Sequence, residues 1–114
     1  MALVPDIVIA FKLDGTAKEL DYRKLPFTTW QELKAALGFT PLSLLEALSA
    51  VDMEAVGAII WLERKQHERR LAWREIVRDL DKEDHTFHLE AARVDGEVVA
   101  GDEEVVPASV VDPT

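Results

Sequence analysis

The chain has 114 residues, enough for one domain that buries about two-thirds of its unfolded surface. Its formal net charge is -9, and so acidic a surface argues against nonspecific binding to nucleic acid or anionic membrane, both polyanions. There is no cysteine, which excludes a disulfide framework and thiolate chemistry. The start, Met1 to Asp6, lacks the basic and apolar regions of a signal peptide, so a cytoplasmic protein is expected.

Ile7 to Leu13 is rich in β-branched residues and predicts a strand, with Ile7, Ile9, Phe11 and Leu13 on one face. Asp14-Gly15 is a strong turn signal, and Ala17 to Tyr22 can return antiparallel. An isolated hairpin is marginal, so this one must dock on helices or pair with another chain.

Thr28 with Gln31, or Thr29 with Glu32, fits a capping box before the helical spacing of Trp30, Leu33, Ala36 and Leu37. Gly38 suits the residue just past the helix end. Thr40 then reads as an N-cap and Pro41 as the first position of a second helix, with Leu42, Leu44, Leu45 and Leu48 as its apolar stripe. Ala50-Val51 is a short link.

Asp52 caps the central helix, Glu54 suits its first turn, and Arg64 and Lys65 suit its far end. Ala55 to Leu62 is apolar on every side for about two turns, which marks a helix enclosed by other elements. It is far shorter than the roughly 20 apolar residues that cross a bilayer. A glycine inside a helix costs about 1 kcal/mol, so Gly57 implies a packing reason. Beyond Leu62 the charged run Glu63 to Arg70 either extends this helix or breaks near Gln66-His67. Apolar spacing returns at Leu71, and Trp73 to Leu80 predicts another helix. Asp81 to Glu90 is polar, with Phe87 and Leu89 isolated, a short strand or a loop.

From Asp95 onward there is no lysine, arginine or aromatic, and a disordered acidic tail is expected. On that reading, deleting Asp95 to Thr114 leaves thermal stability almost unchanged. The expected fold is mainly α (α+β): three to four helices with an N-terminal β-hairpin, residues 1–90 forming the domain and 91–114 the tail.

Candidate chemistry is sparse. His85 and His88 are three apart, with His67 upstream, but no second paired ligand motif accompanies them, so no metal and no cofactor are expected. The acidic clusters lack the alternation of a calcium loop, no serine sits in a Gly-x-Ser-x-Gly elbow, and the five glycines are scattered. A non-enzymatic protein is expected.

The basic residues are more informative. Arg64, Lys65, Arg69, Arg70, Arg74 and Arg78 stand out, interleaved with Glu63, Glu68, Glu75 and Asp79. Pairing within one helix accounts for them; a surface for an acidic partner helix, or for the chain's own acidic tail, is the alternative. Trp30 and Trp61 read as core, and Trp73, flanked by charge, as a contact residue. Arg69, Arg70, Trp73, Arg74 and Val77 are the candidate partner-binding residues.

Gly38-Phe39-Thr40-Pro41-Leu42-Ser43-Leu44-Leu45-Glu46-Ala47-Leu48, followed by Asp52-Met53-Glu54-Ala55-Val56-Gly57-Ala58-Ile59-Ile60-Trp61-Leu62-Glu63-Arg64-Lys65, resembles the tail assembly chaperones of long-tailed bacteriophages. Those proteins often show a Gly-Phe-Thr helix start and then Asp-Pro-Asp-Ala leading to Trp-Leu-x-x-Arg-Arg. Here Met53 stands for the proline and Glu54 for the second acid, and Thr29-Trp30-Gln31-Glu32-Leu33 also fits. The similarity covers roughly residues 28 to 80 and is a packing pattern, not a catalytic signature.

The resemblance implies a protein that binds the long, helical, aggregation-prone tape measure protein. It would keep that protein soluble while tube subunits polymerise, and be lost from the mature particle. Such chaperones are commonly made with a frameshifted longer form. The implied partners are the tape measure protein and the tail tube protein, in the host cytoplasm, with no nucleic acid and no membrane. Self-association is expected from the hairpin edge and the apolar helix faces. The competing reading is a structural head–tail connector or tail-completion protein of the virion.

Overall fold

The computed structural model describes residues 4–101 and, as backbone, 103–105. β1, Ile7–Leu13, buries Ile7, Ile9, Phe11 and Leu13 as its alternation predicts. Asp14 and Gly15 take φ of 51° and 81°, the left-handed pair of a two-residue hairpin turn. β2, Thr16–Asp21, returns antiparallel, from Leu13 opposite Thr16 to Val8 opposite Asp21. A short 3-10 turn, Tyr22–Lys24, follows. The Tyr22 ring lies 4.6 Å from that of Trp30, and its hydroxyl donates to the Pro41 carbonyl at 3.2 Å.

α1, Phe27–Leu37, starts after Pro26 without any side-chain cap. The expected capping box at Thr28 or Thr29 does not form, because both threonines already lie inside the first turn and Thr29 is buried. Gly38 closes the helix at φ 78°, as expected. α2, Pro41–Ser49, has the expected Thr40 cap: its Oγ1 accepts from the Ser43 N–H at 3.1 Å, and Ser43 Oγ accepts from the Thr40 N–H at 2.7 Å. Leu44, Leu45 and Leu48 form the buried stripe. Leu42 is exposed, because at 100° per residue it lies about a third of a turn from that stripe.

The link into the next helix is a Schellman turn. The N–H of Asp52 bonds the Ala47 carbonyl and that of Val51 bonds Leu48. Val51 takes the left-handed conformation, φ 61°, that glycine usually fills.

α3, Met53–Lys65, is capped by Asp52, whose Oδ1 accepts from the Glu54 N–H at 2.8 Å. Every residue from Ala55 to Leu62 is buried, so the enclosed helix is as expected. It ends at Lys65, which settles where the charged run departs from it. A Cβ added at Gly57 would sit 2.9 Å from Trp73 Cη2, which is the packing reason for glycine there. α4, Trp73–Asp81, packs on α3, and Glu75 Oε2 accepts the Ala72 N–H at 2.8 Å to start it.

The C-terminal third corrects the expected tail. Phe87–Val94 is β3, which pairs along the full length of β1. Asp95 and Gly96 repeat the first hairpin turn, with φ of 52° and 84°. β4, Glu97–Ala100, then pairs with β3 at Ala92 to Val94, and β5, Glu103–Val105, pairs with it at Phe87 to Leu89. The order is β2-β1-β3-β4, all antiparallel, with β5 also on β3. The fold is therefore mixed α+β, and the boundary expected at residue 90 falls inside a strand. The segment looked poor in burial because Ala92, Ala100 and the strand backbone, rather than large side chains, tie it down. The rest of the expected tail, residue 102 and residues 106–114, lies outside the described residues.

The sheet and the helices share one core. Phe11 stacks on Phe87 at 5.0 Å, and Ile7, Ile9, Leu20 and Leu89 join Ile59, Trp61 and Leu62 of α3 in it.

Two stability measurements follow from these placements. Deleting residues 95–114 removes both partners from the outer side of β3, and is expected to lower the melting temperature by at least about 4–8 °C, roughly 1 kcal/mol. An unchanged melting temperature would restore the tail reading. Val51→Gly relieves a β-branched residue in the left-handed region and is expected to raise stability by about 1 kcal/mol in denaturant melts. A loss there would contradict the Schellman turn.

Candidate functional site

α1 and α4 both rest on α3 and leave a cleft between them, lined by Glu32, Ala35, Ala36, Trp61, Ala72 and Trp73. It is open to solvent and has a volume of about 340 Å³. Its floor is aromatic: the Trp61 and Trp73 rings lie 5.5 Å apart, tilted by 54°. Trp61 is buried and donates its Nε1–H to the Leu71 carbonyl at 2.8 Å, while Trp73 is half-buried. The walls are small residues, so backbone lies close to the surface on both sides.

Lys65 holds this arrangement together. Its side chain is only 1% exposed, yet its ammonium reaches Glu32 at 3.2 Å, the Arg69 carbonyl at 2.6 Å and the Leu71 carbonyl at 3.2 Å. It also lies 5.4 Å from the Trp61 ring centre. Three donors meet three acceptors, so the charge is buried with its hydrogen bonds made. One side chain thus ties α1 to α3 and fixes the turn that leads into α4.

The sequence-derived candidates separate here. Trp73 lies in the cleft, packed on Trp61. Val77, one turn further along the same side of α4, is 38% exposed. Arg69 and Arg70 are exposed on the turn before α4, and Arg74 on its first turn. The expected pairing within one helix is corrected. Arg64 bonds Asp79 on α4 at 3.3 Å, and Lys65 bonds Glu32 on α1, so both pairs cross between helices. Arg69, Arg70, Arg74 and Arg78 have no carboxylate partner among the described residues.

Sequence reasoning placed Ala36 in the apolar spacing of α1, where the structure exposes it, and missed Ala35 and Ala72, because an exposed or half-buried alanine carries no signal of its own. It also missed Gln66. That side chain accepts from the Asp21 N–H at 3.1 Å and donates to the Glu19 carbonyl at 3.0 Å, covering backbone groups of the β2 edge.

A second concavity, of about 220 Å³, lies between α3, the end of α4 and the sheet, lined in part by Leu13, Met53, Ile60, Leu80, Glu83 and His85. At its rim His85 Nδ1 is 2.7 Å from Asp14 Oδ2, and Asp14 Oδ1 accepts from the Thr86 N–H at 2.9 Å. The bond to Asp14 raises the His85 pKa, and the same bond lowers that of Asp14. The pair closes the first hairpin turn onto the start of β3. His67 lies 3.5 Å from Glu63, one turn back, so the three histidines do not converge. Among the described residues no group of His, Asp and Glu is arranged to hold a metal ion, and no helix is long and apolar enough to cross a membrane.

Comparison with protein-family models, curated proteins and solved structures gave no match.

The sign of the His85 shift fixes a pH dependence. A histidine whose folded pKa is raised contributes stability that is fully present below about pH 6.5 and is lost as pH rises through the folded value. The melting-temperature difference between wild type and His85→Gln is expected to be larger at about pH 5.5 than at about pH 8.5. Equal differences would show that the pair is not ionic.

Proposed function

We propose that this chain is a tail assembly chaperone of a long-tailed bacteriophage, binding the helical tape measure protein and keeping it soluble while the tail tube is built. The observation that carries the reading is the α1–α4 cleft. It presents alanines and a half-buried tryptophan to solvent, between helices drawn from the very stretch, residues 28 to 80, that resembles those chaperones. An open apolar cleft between helices suits reversible capture of an amphipathic helix. Nothing in its lining suggests turnover, since Glu32 is the sole ionisable group there and it is engaged by Lys65. The reading proposed is accordingly one of binding rather than catalysis.

On this reading the partner in the host cytoplasm is the tape measure protein, with the tail tube protein as a second. The chain acts as a homo-oligomer and is absent from the mature virion. Exposed Phe27, Leu42 and Met53 supply further apolar surface for self-association.

Co-expression tests it. The tape measure protein is expected to be several-fold more soluble with this chain than without it, and Trp73→Glu is expected to remove most of that gain. No gain with wild type would defeat the proposal. Recovery of the chain in purified particles would turn it toward a structural connector.

A further inference from the structure

α4 ends at Asp81 and β3 begins at Phe87, so residues 82–86 carry the chain from one to the other. Glu83, Asp84 and His85 of this connection wall the concavity beside α3, over an apolar floor that includes Leu13, Ile60 and Phe87. Lys82 still belongs to the helix end, its N–H donating to the Asp79 carbonyl at 3.3 Å. The hydrogen bonds that hold the rest of the connection to another element meet at Asp14, in the first hairpin turn. The Asp14 N–H donates to the Thr86 carbonyl at 2.9 Å, its Oδ1 accepts the Thr86 N–H at 2.9 Å, and its Oδ2 lies 2.7 Å from His85 Nδ1. One residue thus anchors a wall that comes more than 70 positions later in the chain.

The second ring nitrogen sets a condition on that anchor. His85 Nε2 is buried and has no hydrogen-bond partner among the described residues. With both nitrogens protonated, one N–H serves Asp14 and the other meets the field of the Asp79 carbonyl, at the helix end that favours a cation. With the ring neutral, Asp14 keeps the Nδ1–H, the ion pair is gone, and Nε2 is a buried lone pair without a donor.

The charges around the ring are few. The turn brings Asp14, and the connection itself brings Lys82, Glu83 and Asp84. From α4 comes Asp79, whose carboxylate is held by Arg64 and Lys82. α3 brings Met53, Val56, Gly57 and Ile60 to the concavity, none of them charged. The bond to Asp14 favours the protonated ring most, partial burial opposes it, and the Asp79 carbonyl and the Glu83 charge add to the bond.

We propose that the Asp14–His85 pair is a pH-sensitive latch: protonated His85 holds the α4–β3 connection against the first hairpin turn, and loss of its proton lets that connection open locally over the apolar floor of the concavity. The latch is separate from the α1–α4 cleft, and testing it needs no partner.

Amide exchange of the full chain, followed by NMR and corrected for the intrinsic rate, reads the latch at two donors, the Asp14 and Thr86 N–H groups. Their protection is expected to fall at least about threefold between about pH 5.5 and pH 8.5. It is expected to be insensitive to low guanidinium concentrations, as local openings are, whereas that of Ile59 and Ile60 in α3 is not. His85→Gln keeps a donor for Asp14 but cannot titrate, and is expected to remove the fall. Asp14→Asn keeps an acceptor for the Thr86 N–H in an Asn-Gly turn that suits the left-handed backbone, and is expected to lower protection at about pH 5.5 and remove most of the fall. His67 and His88 remain in both variants, so a fall they cause would persist.

No fall in the wild type overturns the latch, and so does a fall that survives His85→Gln. Guanidinium sensitivity equal to that of Ile59 and Ile60 also overturns it, because the opening would then be unfolding of the whole domain.

Discussion

α3 has no side to give to water. Ala55 to Leu62 is apolar all round, so the molecule must supply a wall in every direction. The sheet supplies one, α2 another, and α1 and α4 the rest. Burying Ile59, Ile60, Trp61 and Leu62 is worth about 1.5–3 kcal/mol for each large side chain, which dwarfs any single surface contact. The small residues decide how close the walls come. Ala55 and Ala58 are fully buried, and Gly57 admits Trp73, so α4 lies where a larger residue at position 57 would push it off. The conformation of the cleft is thus set from beneath, by the residues of the central helix.

A helix enclosed on all sides leaves function to its neighbours. α1 and α4 are each satisfied by contact with α3, and neither needs the other. Lys65 keeps them at a fixed separation by holding Glu32 on one side and the carbonyls of the α3–α4 turn on the other. On the proposed reading the cleft is preformed, and little ordering cost would attend binding there. The hairpin edge, by contrast, is partly closed by Gln66 and is a weaker candidate for pairing with another chain.

Much of the fold was legible because local chemistry marked it. The alternation of β1, the caps at Thr40 and Asp52, Gly38 past the end of α1, and the all-apolar α3 each have one physical reading, and the structure follows it. β3 was obscured by a bulge. Ala10 faces Ala91 and Phe11 faces Leu89, so Glu90 is an extra residue, and the buried set Phe87, Leu89, Ala92 breaks a period of two. The second hairpin should have been read, since Asp95-Gly96 repeats the signal of Asp14-Gly15; the acidic, valine-rich composition around it masked that turn. Gly101 lies so close to β3 that a Cβ there would be 2.5 Å from the Glu90 carbonyl oxygen, a long-range demand no local pattern reveals. Trp73 in the cleft was legible as an aromatic residue set apart by the charge around it. The opposing wall was not: Ala36 was read only as part of the apolar spacing of α1 and Ala35 not at all, because the tertiary packing of α1 against α3 alone sets them opposite Trp73.

Hydrogen exchange on the chain, free and bound to the tape measure protein, tests the account most directly. The account predicts that protection gained on binding concentrates at residues 31–36 and 69–78, with the amides of the sheet unchanged. Protection confined to the outer edge of β2 or β4, or to the Leu42 and Met53 end of the helices, would contradict it.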